Sequence, residues 1–222
     1  MMLSRQLNHA QIGLSETGVA ASDYPLLLMK DGESGRFRLV ALFGLKPDAN
    51  SFVVNDQWQA TYVPLAILGA PFHLGGPEKS LCIDEGSDFV STDTGAALYS
   101  DDGVETAELS RIRAMFDYLR QDLDAADDFV AALVALNLVR PLSITLQFGR
   151  ADDESVEGLY SLSLPRLAVL EDPAIVDLHR RGWLDKIHIM INSLNQMNRI
   201  QQLSNVHLDQ KITRLISEMN PE

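Results

Sequence analysis

The sequence reads as an α+β protein. Three observations carry that reading: β-patterned segments with turn signals in the N-terminal half, one unbroken amphipathic stretch over about 106–138, and a second hairpin over about 142–163 ahead of C-terminal helices. Residues 106–138 contain neither glycine nor proline. Leu109, Ile112, Phe116, Leu119, Leu123, Ala126, Val130 and Leu133 recur there at alternating steps of three and four, which puts them on one stripe of a helix roughly 48 Å long at 1.5 Å per residue. Thr106 is placed to cap it, with Glu105 and Glu108 near its positive end. Arg113 with Asp117, and Arg120 with Asp124, are spaced for i,i+4 pairs, and Pro141 is the expected terminator. Asp124 could cap a second helix, but the stripe keeps its register through Ala126, so one continuous helix is expected.

The N-terminal half is expected to be antiparallel. Residues 1–22 carry weak patterning and read as an arm. Tyr24-Pro25 leads into Leu-Leu-Leu-Met, closed by Lys30-Asp31-Gly32, and a second apolar run from Phe37 ends at Lys46-Pro47-Asp48. Period-two alternation at Trp58, Ala60 and Tyr62 predicts a hairpin turning at Asn55-Asp56, a pair that tolerates positive φ. Pro64 and Pro71 restrict 64–77 to edge or loop. Residues 80–84 form a short strand that feeds an acidic, turn-rich stretch. Beyond the second hairpin, Asp172-Pro173 starts a helix, Gly182 stops it, and a last helix begins near Trp183. Residues 204–222 are expected to be a further, loosely attached helix. With no repeat and no low-complexity linker, 1–222 reads as a single domain.

Composition excludes several functions. Thirty-one acidic residues against eighteen basic ones give a formal net charge of −13, which disfavours nucleic acid and anionic lipid as partners. Cys82 is the only cysteine, so an intramolecular disulfide and a Cys-rich zinc site are both excluded. No apolar run approaches the roughly 20 residues that span a bilayer, and the N-terminus lacks a signal-peptide pattern. A soluble, cytoplasmic protein without membrane insertion is expected, with surface association open only through a non-classical export route.

The residues in this order resemble the SapC family of bacterial proteins. The resemblance rests on Tyr24-Pro25, Gly44-Leu45, Phe52, Trp58, Tyr62 with Pro64, Pro71-Phe72, Leu-Cys-Ile-Asp-Glu-Gly over 81–86 and Asp102-Gly103. It continues through Gly158-Leu159-Tyr160, Leu178-His179-Arg180-Arg181-Gly182 and Ser193-Leu194. It covers roughly residues 20–205. One departure is His188, where a histidine nearer Met190 would be expected. The family takes its name from a surface-layer-associated protein. The resemblance supplies no catalytic residues.

Two clusters are candidate sites. Asp84-Glu85, with Asp88 and Asp93 nearby, is the densest acidic loop, though it lacks the ligand spacing of an EF-hand. Trp58, Tyr62 and Phe72 read either as the core face of a hairpin or as an aromatic floor. With Asp84 and Glu85 as an acidic rim, such a floor would suit a basic peptide or amine. His207 and Asp209 match the start of a facial triad, but no distal histidine follows. Cys82 lies between apolar and acidic neighbours, which do not activate a thiol. Nucleophile-elbow, P-loop and dinucleotide motifs are absent. No cofactor and no metal are therefore expected. The expected function is a non-catalytic accessory or binding protein that recognises a protein or peptide. The alternative is a hydrolase or modifying enzyme using Asp84 and Glu85, with or without a metal. A third reading makes the long helix an assembly module with Leu119 and Leu123 at its seam.

Overall fold

A computed structural model describes residues 3–76, 78–149 and 152–219. Its centre is a six-stranded antiparallel sheet assembled from both ends of the chain. In chain order its strands are β1 (His9–Gln11), β2 (Leu26–Lys30), β3 (Phe37–Leu42), β8 (Val139–Phe148), β9 (Glu154–Leu162) and β10 (Ile212–Met219). They lie in the order β1-β3-β2-β9-β8-β10. Two small ribbons intervene, β4 (Val53–Val54) with β5 (Gln57–Trp58), and β6 (Phe72–Gly75) with β7 (Ser80–Ile83). The α+β class is as the patterning implied.

Residues 3–22 are more than an arm. β1 pairs with β3, a single helical turn α1 (Thr17–Ala20) follows, and Ile12 and Ala20 are wholly buried. The tail also differs from expectation, since 212–219 is a strand and not a helix. Ile212, Leu215 and Ile216 are too sparse an apolar set for a buried helix stripe, whereas pairing with β8 satisfies the backbone groups that face it.

The strands on either side of Lys30-Asp31-Gly32 pair as a hairpin, and the hairpin expected at Asn55-Asp56 forms only as a two-residue ribbon, with Ala60 and Tyr62 beyond the end of β5. Met29 faces Arg38 and Leu27 faces Val40 across β2 and β3. Asn55 and Asp56 both take positive φ, 51° and 63°, so a two-residue turn joins β4 to β5. Leu26, Leu27 and Leu28 are consecutive and fully buried, so β2 is covered on both faces. Helices supply much of that cover.

The long helix α3 (Ala107–Ala135) is continuous, and the Thr106 side chain accepts a hydrogen bond from Leu109 N–H at its start. It stops three residues short of Leu138, and Pro141 is not the cause. Asn137 adopts φ 57°, Leu138 N–H bonds Leu133 O at 3.0 Å and Asn137 N–H bonds Val134 O at 2.9 Å, a Schellman closure. Pro141 instead lies within β8, opposite Tyr160. The predicted i,i+4 pairs are also replaced: Arg113 pairs with Glu105, Arg120 with Asp117, and Asp124 with Lys79.

The length of α3 lets it serve two cores. Ala126, Phe129, Val130 and Leu133 join the main core against the sheet. Phe116, Leu119 and Leu123 form a second cluster with α2 (Leu65–Leu68) and the β6–β7 ribbon. Leu119 and Leu123, the residues of the assembly reading, are thus buried within their own chain.

After β9, the helices α4 (Leu164–Ala168), α5 (Asp172–Arg180), α6 (Trp183–Ser193) and α7 (Met197–His207) follow in short order. Gly182 takes φ 68°, the left-handed turn between α5 and α6. α6 packs on β2 and β9, and Trp183 meets Phe129 of α3 edge-on at 5.7 Å. Among the described residues no helix is long and apolar enough to cross a membrane.

Candidate functional site

The predicted site residues fall into two neighbouring but distinct places. Trp58 and Tyr62 belong to a buried polar network around Tyr24, whereas Phe72 and Asp84 line a surface groove. Glu85 is exposed and lines neither place.

The network begins with Tyr24, fully buried between the edges of Phe43 and Phe52 at 5.1 and 4.8 Å. A buried phenol needs partners. Tyr24 O–H donates to the Tyr62 carbonyl and accepts from Trp58 Nε1–H at 2.7 Å. Burial pushes its ionisation well above the ordinary phenol range. Tyr62 is raised in the same way, by burial and by the hydrogen bond its hydroxyl gives Glu16 Oε1 at 2.7 Å.

Two carboxylates hold this region together. Glu16 and Asp23 are each only 3% exposed. Pro64, at the start of α2, offers no side-chain acceptor, and Glu16 Oε1 takes the Leu65 N–H at 3.0 Å instead, while Oε2 takes Gly13 N–H at 2.8 Å. Asp23 Oδ2 accepts Tyr62 N–H at 2.8 Å, and Oδ1 is paired with Arg199 on α7. Arg199 also donates to Gln59 O at 2.6 Å and lies over the Phe52 ring at 5.5 Å. The bonds to Gln59, Tyr62 and Leu65 fix the 59–65 segment, so both carboxylates are committed to positioning.

What that segment positions is the groove. Val63 leads into α2, which with the turn through Pro71, β6 and Phe89 encloses about 380 Å³ of mostly apolar space. Leu68 and Phe89 are 59% and 61% exposed at its lips. Its polar groups are His73 and Asp84. The Asp84 backbone N–H bonds Pro71 O at 2.9 Å, which brings its side chain back against the start of β6, and its Oδ1 takes Gly86 N–H at 3.1 Å. Of the three rings expected to form a floor, only Phe72 lines the groove, joined there by Phe89 at its lip. Trp58 and Tyr62 stand behind it, in the network that supports α2.

Several participants had no local sequence signal. Glu16 reaches Tyr62 across 46 residues and Asp23 reaches Arg199 across 176. His73 lies directly opposite Cys82 across the β6–β7 ribbon, a neighbour that the linear surroundings of the cysteine hide. A register count outward from the Gly75-Gly76 turn could have found it.

The architecture defines a class: an antiparallel sheet with helical cover, carrying a shallow apolar groove with a carboxylate rim, braced by one buried ion pair and a second buried carboxylate. The family model described as SapC matches residues 2–200, and the chain belongs to the SapC family. No curated protein and no solved structure matches it.

Proposed function

We propose that the protein is a non-catalytic accessory or binding protein of the SapC type, and that it recognises a protein or peptide partner through the groove between α2 and β6. The observation that carries this reading is the make-up of the groove. It has an apolar wall of Ile67, Leu68, Phe72 and Phe89, a single carboxylate, Asp84, at the rim, and a volume that accommodates one large side chain with its neighbours. The apolar wall suits an aromatic or leucine side chain, and the net charge of −13 favours lysine or arginine beside it. Against the hydrolase alternative stands the separation of its two residues, since Asp84 lines the groove and Glu85 does not.

Selection from a random peptide display library tests the proposal. Enriched peptides should carry an apolar side chain next to basic residues, and should lose binding to Asp84→Lys and Leu68→Asp variants. Peptides that bind both variants undiminished would place recognition elsewhere. Substrate turnover abolished by Asp84→Ala or Glu85→Ala would overturn the non-catalytic reading.

A further inference from the structure

The last strand leaves an edge open. β10 stands at the end of the sheet order, paired with β8 alone. Long unprotected edges are normally blunted by proline, lysine, a bulge or a covering element. The start of β10 is covered in this way. Asn205 Oδ1 accepts Ile212 N–H at 2.7 Å, and Gln201 Nε2 and Asn205 Nδ2 both donate to Ile212 O at 3.0 Å, so α7 side chains close the edge there. The one register shift also falls between Ile212 and Arg214. From Thr213 onward no such device appears among the described residues. Among the described residues the ladder with β8 runs to Met219 opposite Leu142.

We infer that this open edge, Thr213 to Met219, pairs antiparallel with the same edge of a second copy of the chain, centred on Ile216. Its midpoint is Ile216, and the charge pattern selects that same centre. With Ile216 opposite its own copy, Arg214 falls opposite Glu218 of the second chain, and the two-fold axis makes this contact twice. Among the described residues neither Arg214 nor Glu218 forms an ion pair within the chain. The register also sets Ile216 on Ile216, Leu215 by Ser217, and the 40% exposed Met219 by the methyl of Thr213. Shifting the register by one residue in either direction moves each arginine off its glutamate, so the charges select one alignment. A foreign strand would gain the backbone bonds but not the self-complementary charges. The two sheets join into one continuous antiparallel sheet. A strand pair of this length buries little area, so the dimer belongs in the weak, micromolar class.

Sedimentation equilibrium on the full chain tests this with four proteins: wild type, Arg214→Glu, Glu218→Arg, and the double variant. Both positions are exposed, and circular dichroism verifies that each variant folds. The wild type should dimerise reversibly. Each single variant sets like charges opposite each other twice and should weaken the dimer about tenfold or more. The double variant exchanges the partners and should restore it. A wild type that stays monomeric into the millimolar range, or a double variant no tighter than the singles, would overturn the inference.

Discussion

Replacing Arg199 by alanine tests the buried network most severely. Among the described residues Arg199 is the only cation paired with Asp23, whose side chain is 4% exposed, and it also satisfies the Gln59 carbonyl and covers one face of Phe52. Removing it leaves Asp23 with a single donor, Tyr62 N–H, for a charge the interior cannot solvate. Breaking a buried pair from one side costs about 3–5 kcal/mol. Arg199 retains 33% side-chain exposure, so water can enter the vacated space and the expected loss is about 2–4 kcal/mol. For a chain of this size that lowers Tm by roughly 5–15 °C. Urea unfolding followed by circular dichroism measures the loss directly. The double variant Arg199→Ala with Asp23→Asn removes both charges, and measured beside each single variant it closes a double-mutant cycle in which it should be less destabilised than the sum of the two. A loss below about 0.5 kcal/mol for Arg199→Ala, or strictly additive losses in the cycle, would refute the claim that this pair braces the 59–65 segment.

Three further outcomes follow from local geometry. Asn137→Val forces a β-branched residue into the left-handed closure of α3 and should cost about 1–2 kcal/mol in urea unfolding, whereas Asn137→Gly should cost little or stabilise. Gly69→Ala would drive a methyl into the Phe116 ring at the junction of α2 and α3, with an expected loss of about 1–3 kcal/mol and weaker groove binding by the same peptide assay. His9 is held below its ordinary value of about 6.5 by burial, so the unfolded chain takes up its proton more readily. Its contribution is therefore fully present above that value and declines as pH falls through the lowered folded value. The pH dependence of stability below neutrality should flatten in His9→Gln, and an unchanged slope would remove His9 as its source.

The sequence made the local features legible and left the long-range ones hidden. The α3 stripe, the Thr106 cap, the Asn55-Asp56 turn and the Gly182 break are written in neighbouring residues, and each appears in the fold. The end of α3 was misplaced because proline is a conspicuous stop signal and Asn137 a quiet one, although the asparagine is what closes the helix. The tail was misread because edge strands need only one buried side and carry weak periodicity. β10 has only Ile212 fully buried, with Leu215 and Ile216 half-buried. At the candidate site, proximity in sequence suggested that Trp58, Tyr62 and Phe72 act together and that Asp84 and Glu85 form a pair. The α2 turn separates the first set, and chain direction separates the second. Which acidic residues would be buried could not be read at all, because the partners that permit burial of Glu16 and Asp23 come from distant elements.

We propose that the groove bounded by Ile67, Leu68, Phe72, Phe89 and Asp84 binds a basic, apolar peptide segment. Methyl chemical-shift mapping during titration of a selected peptide tests it most directly. Saturable shifts at Ile67, Leu68 and Val63, abolished by Asp84→Lys, are the expected result. Saturable binding with shifts confined to other methyls, such as those of Leu215 and Ile216 on β10, would contradict it.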